Sequence, residues 1–289
     1  MSNQNMIALK SARIVILFLI AFLSSRSVFA LEIKYSNVSP FGGGPIAGEY
    51  LILKGEITPG DYDHLLNVIW NNPSRFFRES GGGISQPIIV LASPGGDIQE
   101  AIKIARLVKG VYADVWVGEV TGACASACFF IFASGAYRLA TPGTVGIHRP
   151  YVHPRRLASL SPSQAEALQN DLFGQARSYL QELQIPTSII DTMFQRASSE
   201  VYWLSYAELW KQIGVRPPWY EQFMIGRCDL DKSVEQRYWS TGDKSLFNTD
   251  AEKCATWLIV PEAIGFLVNE FIKTGKNPTE AWDQFKPRK

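Results

Sequence analysis

The sequence predicts an α/β domain in which a parallel sheet is built from repeated strand–helix units. Three observations carry this prediction: short apolar strands alternate with amphipathic helices, the links between them are short, and glycine turns separate strand from helix. A chain of 289 residues with 46% hydrophobic residues suffices for one sizeable domain and an appendage.

The elements follow one another from residue 50 onward. Residues 88–93 (IIVLAS) are a continuous apolar run, which is typical of a strand buried on both faces. Residues 98–110 repeat apolar side chains at helical spacing, and Asp97 is placed to cap that helix. Residues 73–87 are expected to be a polar connection. The predicted strands are 50–55, 88–93, 114–120, 137–140 and 143–148, and the predicted helices are 57–72, 98–110, 162–183, 187–197 and 261–275.

The first 30 residues are predicted to be a secretory signal peptide. Lys10 and Arg13 form a basic start, residues 14–23 are apolar, and Val28 and Ala30 occupy the −3 and −1 positions of a cleavage site. The apolar run is shorter than the roughly 20 residues that a spanning helix needs, although an uncleaved N-terminal anchor stays open as the alternative. The product is therefore expected in the periplasm or outside the cell.

Charge and composition do not indicate a nucleic-acid, membrane or metal partner. Without the leader, which holds three of the 28 basic residues and no acid, 25 basic and 27 acidic residues remain. A net charge near −2 gives no reason to expect nucleic acid or an anionic membrane as partner. No metal or other cofactor is predicted, because no His, Cys and Asp cluster has ligand spacing. The predicted division is 1–30 signal peptide, 31–216 main domain and 217–289 C-terminal extension.

Four cysteines in an exported chain are candidates for disulfides, with three connectivities. Cys228 and Cys254 enclose a polar segment near the C-terminus, and we predict a bond between them. Cys124 and Cys128 are four residues apart, which on one helix brings their Cα atoms near the limit for a disulfide. Buried thiols are therefore expected for this second pair.

Two glycine-containing turns carry candidate chemistry. In SPGGD (93–97), two glycines between a buried strand and a helix start leave backbone N–H groups open to an anion; the alternative is a tight turn without a ligand. In GACASACFF (122–130), Ser126 lies among small residues, in the expected first turn of a helix, with the Ala127 amide beside its hydroxyl. The alternative is a serine that only caps or packs.

The choice of a base is narrow, since the chain has three histidines. His148 ends a predicted strand in TVGIHRP and is therefore anchored by ordered backbone. His64 lies on a helix face among acids and His153 lies in a loop, where solvated roles are expected.

The order SPGG-D, G-x-x-x-S and strand-borne H-x-P resembles the Clp protease proteolytic subunit family, and more broadly the Clp/crotonase fold. The likeness runs over about residues 49–215. It implies a Clp/crotonase-like fold, here with a C-terminal disulfide-bearing appendage, and a serine peptidase with Ser126 as nucleophile and His148 as general base. The implied oxyanion-hole donors are the amides of Gly96 (or Gly95) and Ala127.

The resemblance leaves the third catalytic residue open. The family has an orienting acid just before the segment that matches WLSYAEL, and the position that aligns without gaps is Val201. Glu200 is the first candidate and Asp191 the second, and a serine–histidine pair without an acid is the remaining option. The segment after Pro217 has no counterpart in the family.

The predicted function is therefore an exported, ATP-independent serine peptidase that hydrolyses peptide bonds through an acyl-enzyme. No ATPase partner is expected outside the cytoplasm. Members of this fold often assemble into oligomers, and the 162–183 helix is a candidate contact surface. The main alternative is a non-catalytic binding or scaffold protein that kept the fold. Thioester chemistry as in crotonases ranks last, because it needs no serine nucleophile.

Overall fold

The computed structural model describes residues 31–80, 83–241, 243, 249–277 and 279–280; the predicted signal peptide lies outside the described residues. A π-helical segment spans Ala207–Ile213. The strands are β1 (Glu32–Val38), β2 (Pro45–Lys54), β3 (Arg78–Ser80), β4 (Gly83–Ser85), β5 (Ile88–Ala92), β6 (Asp114–Val117), β7 (Cys124–Ala125), β8 (Tyr137–Ala140), β9 (Val145–Ile147) and β10 (Tyr202–Trp203). The helices are α1 (Asp61–Asn71), α2 (Pro73–Phe76), α3 (Ile98–Gly110), α4 (Cys128–Ala133), α5 (Pro154–Leu157), α6 (Pro162–Glu182), α7 (Thr187–Gln195), α8 (Pro218–Cys228), α9 (Lys232–Thr241) and α10 (Thr249–Lys273).

The main sheet has the strand order β1-β2-β5-β6-β8. Strands β2, β5, β6 and β8 pair in parallel, as predicted, and β1 adds an antiparallel edge to β2. All five residues of β5 are buried, which agrees with its continuous apolar run. Because parallel strands end at the same edge of a sheet, the loops after β2, β5 and β6 meet there.

A second, small sheet has the order β10-β9-β7, with β7 parallel and β10 antiparallel to β9. An isolated bridge between Ser93 and Cys124 joins the loop after β5 to β7. The two sheets thus bring three distant stretches together: the glycine loop 93–97, the turn after β7, and the residue that follows β9.

The helix α4 lies at the centre of the core. All six of its residues are buried, which is the pattern of a helix that is covered on every side. It packs beside α3 and β6, and it belongs to the same apolar cluster as Leu65 of α1 and Leu91 of β5. The start of α4, close to Ser126, is therefore held by packing on several elements.

Side chains cap two helix starts, and the cap by Asp97 is the one predicted from the sequence. The Asp97 carboxylate accepts the Glu100 N–H at 2.9 Å at the start of α3. At the start of α6, the hydroxyl of Ser161 accepts the Gln164 N–H at 3.3 Å, and the Gln164 side chain accepts the Ser161 N–H at 2.9 Å. This reciprocal arrangement is a capping box.

The C-terminal helix and the connection 73–87 differ from the prediction. α10 begins at Thr249 rather than at 261 and continues through Pro261, although proline lacks an N–H and crowds the preceding turn. Buried side chains before and after the proline, including Ile259 and Leu267, pack α10 onto the fold, and this packing outweighs the local preference. The connection 73–87 is not simply a loop, because it contains α2 and the β3–β4 hairpin.

By length and hydropathy, α10 is the one helix in the described part of the chain that could cross a membrane, over Asp250–Lys273. In the structure one of its faces packs on the fold. The Phe271 ring meets Trp70 of α1 edge-on at 4.7 Å, and the Tyr112 hydroxyl donates to Glu262 at 2.8 Å. In the same helix, 78% of Trp257 is exposed.

A disulfide joins Cys228 at the end of α8 to Cys254 in α10, as predicted. It lies beside a separate small core that includes Tyr220, Met224 and Ala255. The helices α9 and α10 are tied to the rest of the chain by Arg216, whose buried guanidinium pairs with two carboxylates, Glu235 and Glu252. The boundary at 216/217 remains a prediction.

Replacing both Cys228 and Cys254 with alanine is expected to lower the free energy of unfolding by about 3–4 kcal/mol, since the bond closes a 26-residue separation in the unfolded chain. Urea unfolding of the oxidised protein and the double variant measures this difference. A change below about 1 kcal/mol would contradict the expected stabilisation.

Candidate active site

Ser126 lies on the turn between β7 and α4. Its φ of 59° is in the left-handed region, which costs a residue other than glycine about 1–3 kcal/mol. The Ser126 N–H donates to the Gly146 carbonyl at 3.0 Å, and the Ser126 carbonyl accepts the Phe129 N–H at 3.0 Å. These bonds hold the turn from both sides. The Ser126 side chain is partly exposed between Ala125 and Ala127, which are buried.

The structure corrects the predicted placement of Ser126 in the first turn of a helix. α4 begins at Cys128 with Ala127 as its N-cap, so Ser126 stands before the helix. The reason is local, because a left-handed residue cannot continue a right-handed helix. The chain therefore makes a sharp strand–turn–helix with the serine at its apex.

Cys124 and Cys128 are bonded to each other, and the prediction of buried thiols is wrong. That prediction placed both residues on one helix, whereas Cys124 lies in β7 and Cys128 begins α4. The turn at Ser126 brings their Cα atoms to 5.3 Å, well inside the range that a disulfide requires. The disulfide therefore encloses the turn that carries Ser126.

The glycine loop passes directly against this turn. A Cβ on Gly95 would lie 2.5 Å from the Ser126 Cβ and 2.9 Å from the Ala127 nitrogen, so the approach is open to glycine alone. Within the described residues, the N–H groups of Gly96 and Ala127 donate to no acceptor. Two backbone donors from different segments are thus available beside the serine.

Replacing Gly95 with alanine is expected to destabilise the protein by about 2–4 kcal/mol, since the new methyl group overlaps the serine turn and φ is 104°. The matched control is Gly143→Ala, where φ is 79° and a Cβ would meet nothing within 4 Å. Urea unfolding compares the two variants. If Gly143→Ala costs as much as Gly95→Ala, backbone strain rather than close approach explains the loss.

His148 follows β9 directly and is only 8% exposed. Its Nδ1 lies 3.0 Å from the carbonyl oxygen of Arg149. A carbonyl can only accept, so Nδ1 carries the proton and Nε2 is the free acceptor. An imidazole in this tautomer is able to take a proton from a hydroxyl at Nε2.

The structure does not bring the candidate acids to His148. The Glu200 side chain is 63% exposed and lies 3.5 Å from Arg196, while Asp191 accepts from Arg177 at 3.1 Å. Among the described residues, no carboxylate bonds to His148.

The position opposite His148 is instead held by Val201. Tyr202 pairs with Ile147 and Trp203 with Gly146 in the antiparallel β9–β10 ladder, and one further step places Val201 opposite His148. Directly opposed residues project to the same face of a sheet. A Cβ on Gly146 would lie 2.5 Å from the Val201 Cγ1, which shows that the valine covers this face.

Ser126 and His148 line one cavity of about 500 Å³, a size typical of ligand pockets. Gly95 and Gly96 form another part of its wall. Within the described residues, the Ser126 hydroxyl makes no hydrogen bond to His148, and such bonds are often long in empty sites. The structure therefore places the two groups around the same space without a direct bond.

Part of the cavity wall was not predicted from the sequence. Leu168 and Leu172 of α6 line the cavity, and so does His153, for which a solvated role was expected. The four-residue spacing of the leucines indicates a shared helix face, but it does not indicate what that face meets. The contact between His148 and the Arg149 carbonyl could not be predicted from the sequence, since every residue has a backbone carbonyl.

A serine on a sharp turn, a histidine with a free Nε2 and the glycine loop line one cavity, and the Ala127 amide lies next to the serine in the chain. This arrangement is of the kind found in serine hydrolases. Residues 79–181 match the family model described as Clp protease. This match confirms the predicted resemblance, and the segment that carries Gly96, Ser126 and His148 is Clp protease-like, with the α/β fold that the family implies.

Solved structures similar to this chain include two proteases. ClpP1 from Listeria monocytogenes is 19% identical, with a TM-score of 0.39, over 57% of this chain and 86% of that one. A mutant of the 1510-N membrane-bound stomatin-specific protease is 20% identical, with a TM-score of 0.38, over 57% of this chain and 75% of that one. No curated protein matches the chain.

Proposed function

We propose that this protein is an exported, ATP-independent serine peptidase that cleaves peptide bonds through an acyl-enzyme. The observation that carries the proposal is the single cavity lined by Ser126, His148 and the glycine loop. The Clp protease match over this segment supports a peptidase rather than another serine hydrolase. Export is proposed from the signal-peptide pattern of the first 30 residues.

In the proposed mechanism, the Ser126 Oγ attacks the carbonyl carbon of the scissile peptide while its proton passes to Nε2 of His148. The carbonyl oxygen becomes negative and accepts hydrogen bonds from the N–H groups of Gly96 and Ala127. The C–N bond then breaks, and the amine leaves with the proton from His148. Water repeats the sequence on the ester and releases the acid.

The Arg149 carbonyl takes the orienting role in this proposal. It selects the Nδ1–H tautomer of His148, as the carboxylate of a triad does. A neutral carbonyl stabilises the transient imidazolium less than a carboxylate, because only the carboxylate adds a full negative charge. The expected enzyme is therefore slower than one with a complete triad.

A fluorophosphonate probe tests the proposed function directly, because it reacts covalently with activated serines. We expect label on the wild-type protein and none on Ser126→Ala. Label on neither protein would overturn the peptidase proposal in favour of the second candidate, a binding or scaffold protein. The observation that favours this second candidate is Val201, which stands where an orienting acid is expected.

A peptide or protein segment is the proposed substrate, and no ATPase partner is invoked. Homo-oligomer formation through α6 is part of the proposal, because only a few residues of this 21-residue helix, such as Leu172 and Tyr179, are buried within the chain. Sedimentation of the exported protein measures the oligomeric state.

A further inference from the structure

The Cys124–Cys128 disulfide surrounds the proposed nucleophile and lies wholly inside the protein. Both cysteines are 0% exposed, and both belong to the main apolar core. The other disulfide, Cys228–Cys254, lies in the C-terminal helices and joins a different cluster. The Cys124–Cys128 bond, called the inner bond below, lies at the candidate active site. Packing of the C-terminal extension therefore does not explain it.

The inner bond restricts the one segment whose conformation sets the direction of the serine side chain. Four residues of extended chain span about 13–14 Å, whereas the bonded Cα atoms are 5.3 Å apart. The chain between the cysteines must therefore fold into a compact turn within three residues. A left-handed φ at a residue other than glycine persists only where the surroundings enforce it, and Ser126 at 59° is such a residue.

The same restriction reaches the Ala127 amide. Ala127 lies between Ser126 and Cys128 and is 0% exposed, so its N–H direction follows from the turn and from the start of α4. The glycine loop meets this nitrogen closely, since a Cβ on Gly95 would lie 2.9 Å from it. The nucleophile and one oxyanion donor are thus inside the same cross-linked ring.

We propose that Cys124 and Cys128 are a positioning pair, whose disulfide holds Ser126 and the Ala127 N–H in the reactive geometry. The inference rests on the proposed function, and it makes the site fully active only after oxidation. The two thiols lose two protons and two electrons as the S–S bond forms, and a disulfide oxidant accepts the electrons and becomes two thiols. A chain retained in a reducing cytoplasm keeps its thiols, so its serine turn is not locked.

The two disulfides can be compared in matched variants. One variant is Cys124→Ala with Cys128→Ala, and the control is Cys228→Ala with Cys254→Ala. Fluorophosphonate labelling rates, peptide kcat and KM, and urea unfolding are measured for both. We expect the inner variant to label about 100-fold more slowly, with kcat reduced and KM little changed, because small displacements of reacting groups cost factors of this size. The control is expected to label within about twofold of wild type, although it loses the larger loop constraint.

A second readout is independent of catalysis: hydrogen exchange of the Ser126 and Phe129 amides, which are bonded in the native turn. We expect faster exchange in the inner variant and no change in the control. If the inner variant labels as fast as wild type, the positioning role is overturned while the peptidase proposal stands. If wild type itself does not label, the peptidase proposal fails and the catalytic positioning role fails with it. Exchange of the two amides then decides only whether the disulfide holds the turn: faster exchange in the inner variant supports this, and unchanged exchange contradicts it.

Discussion

Replacing Ser126 with alanine is expected to lower peptide turnover by at least about 100-fold and at most about 10⁶-fold. In serine proteases, loss of the nucleophile alone costs about 10⁶ in kcat, and loss of the orienting acid alone costs about 10⁴. If the Arg149 carbonyl replaces none of the acid's contribution, only about 100-fold remains for Ser126 to lose. The size of the drop therefore measures how well the carbonyl orients His148.

The matching comparison measures peptide turnover of His148→Ala and of the double variant that carries both Ser126→Ala and His148→Ala. In the proposed mechanism Ser126 and His148 act as one unit, so each single change is expected to cost nearly as much as both together. Urea unfolding should differ little between wild type and Ser126→Ala, since the serine hydroxyl makes no hydrogen bond within the described residues. Additive losses in the double variant would show that the two residues do not share a reaction.

Replacing Val201 with aspartate is expected to raise kcat by at least about tenfold, with about 10⁴-fold as the upper limit that a complete triad sets. The register of β9 and β10 places residue 201 opposite His148 on the same face, so a carboxylate there is in a position to contact the imidazole. It would add the negative charge that the Arg149 carbonyl lacks. Peptide hydrolysis under saturating substrate measures the change.

Two controls separate charge from shape. Val201→Asn has nearly the same size as the aspartate variant without the charge, and it is expected to leave kcat at or below the wild-type value. Glu200→Gln is expected to change kcat less than twofold, because Glu200 pairs with Arg196 at an exposed position rather than with His148. A large loss in Glu200→Gln would instead make Glu200 the third catalytic residue and contradict the proposed arrangement.

Most of the fold could be predicted from the sequence. The strands at 88–93 and 137–140, the helix over 98–110 and its Asp97 cap depend on residues within a few positions of one another, and local pattern reports such elements well. The C-terminal helix is one exception. Its continuation through Pro261 depends on packing against the rest of the chain, which the local proline rule does not include.

The candidate active site likewise has features that follow from local sequence and features that depend on the fold. The candidate residues could be chosen from the sequence, because Ser126, His148 and the glycine loop stand in motifs whose order resembles that of a known family. Their arrangement could not: the left-handed turn between the bonded Cys124 and Cys128, the Arg149 carbonyl beside the imidazole, and the valine opposite it appear only in the folded chain. The physical reason is that motifs report the identity of side chains, whereas hydrogen-bond partners and cross-strand neighbours are set by segments far apart in the chain that meet only when it folds.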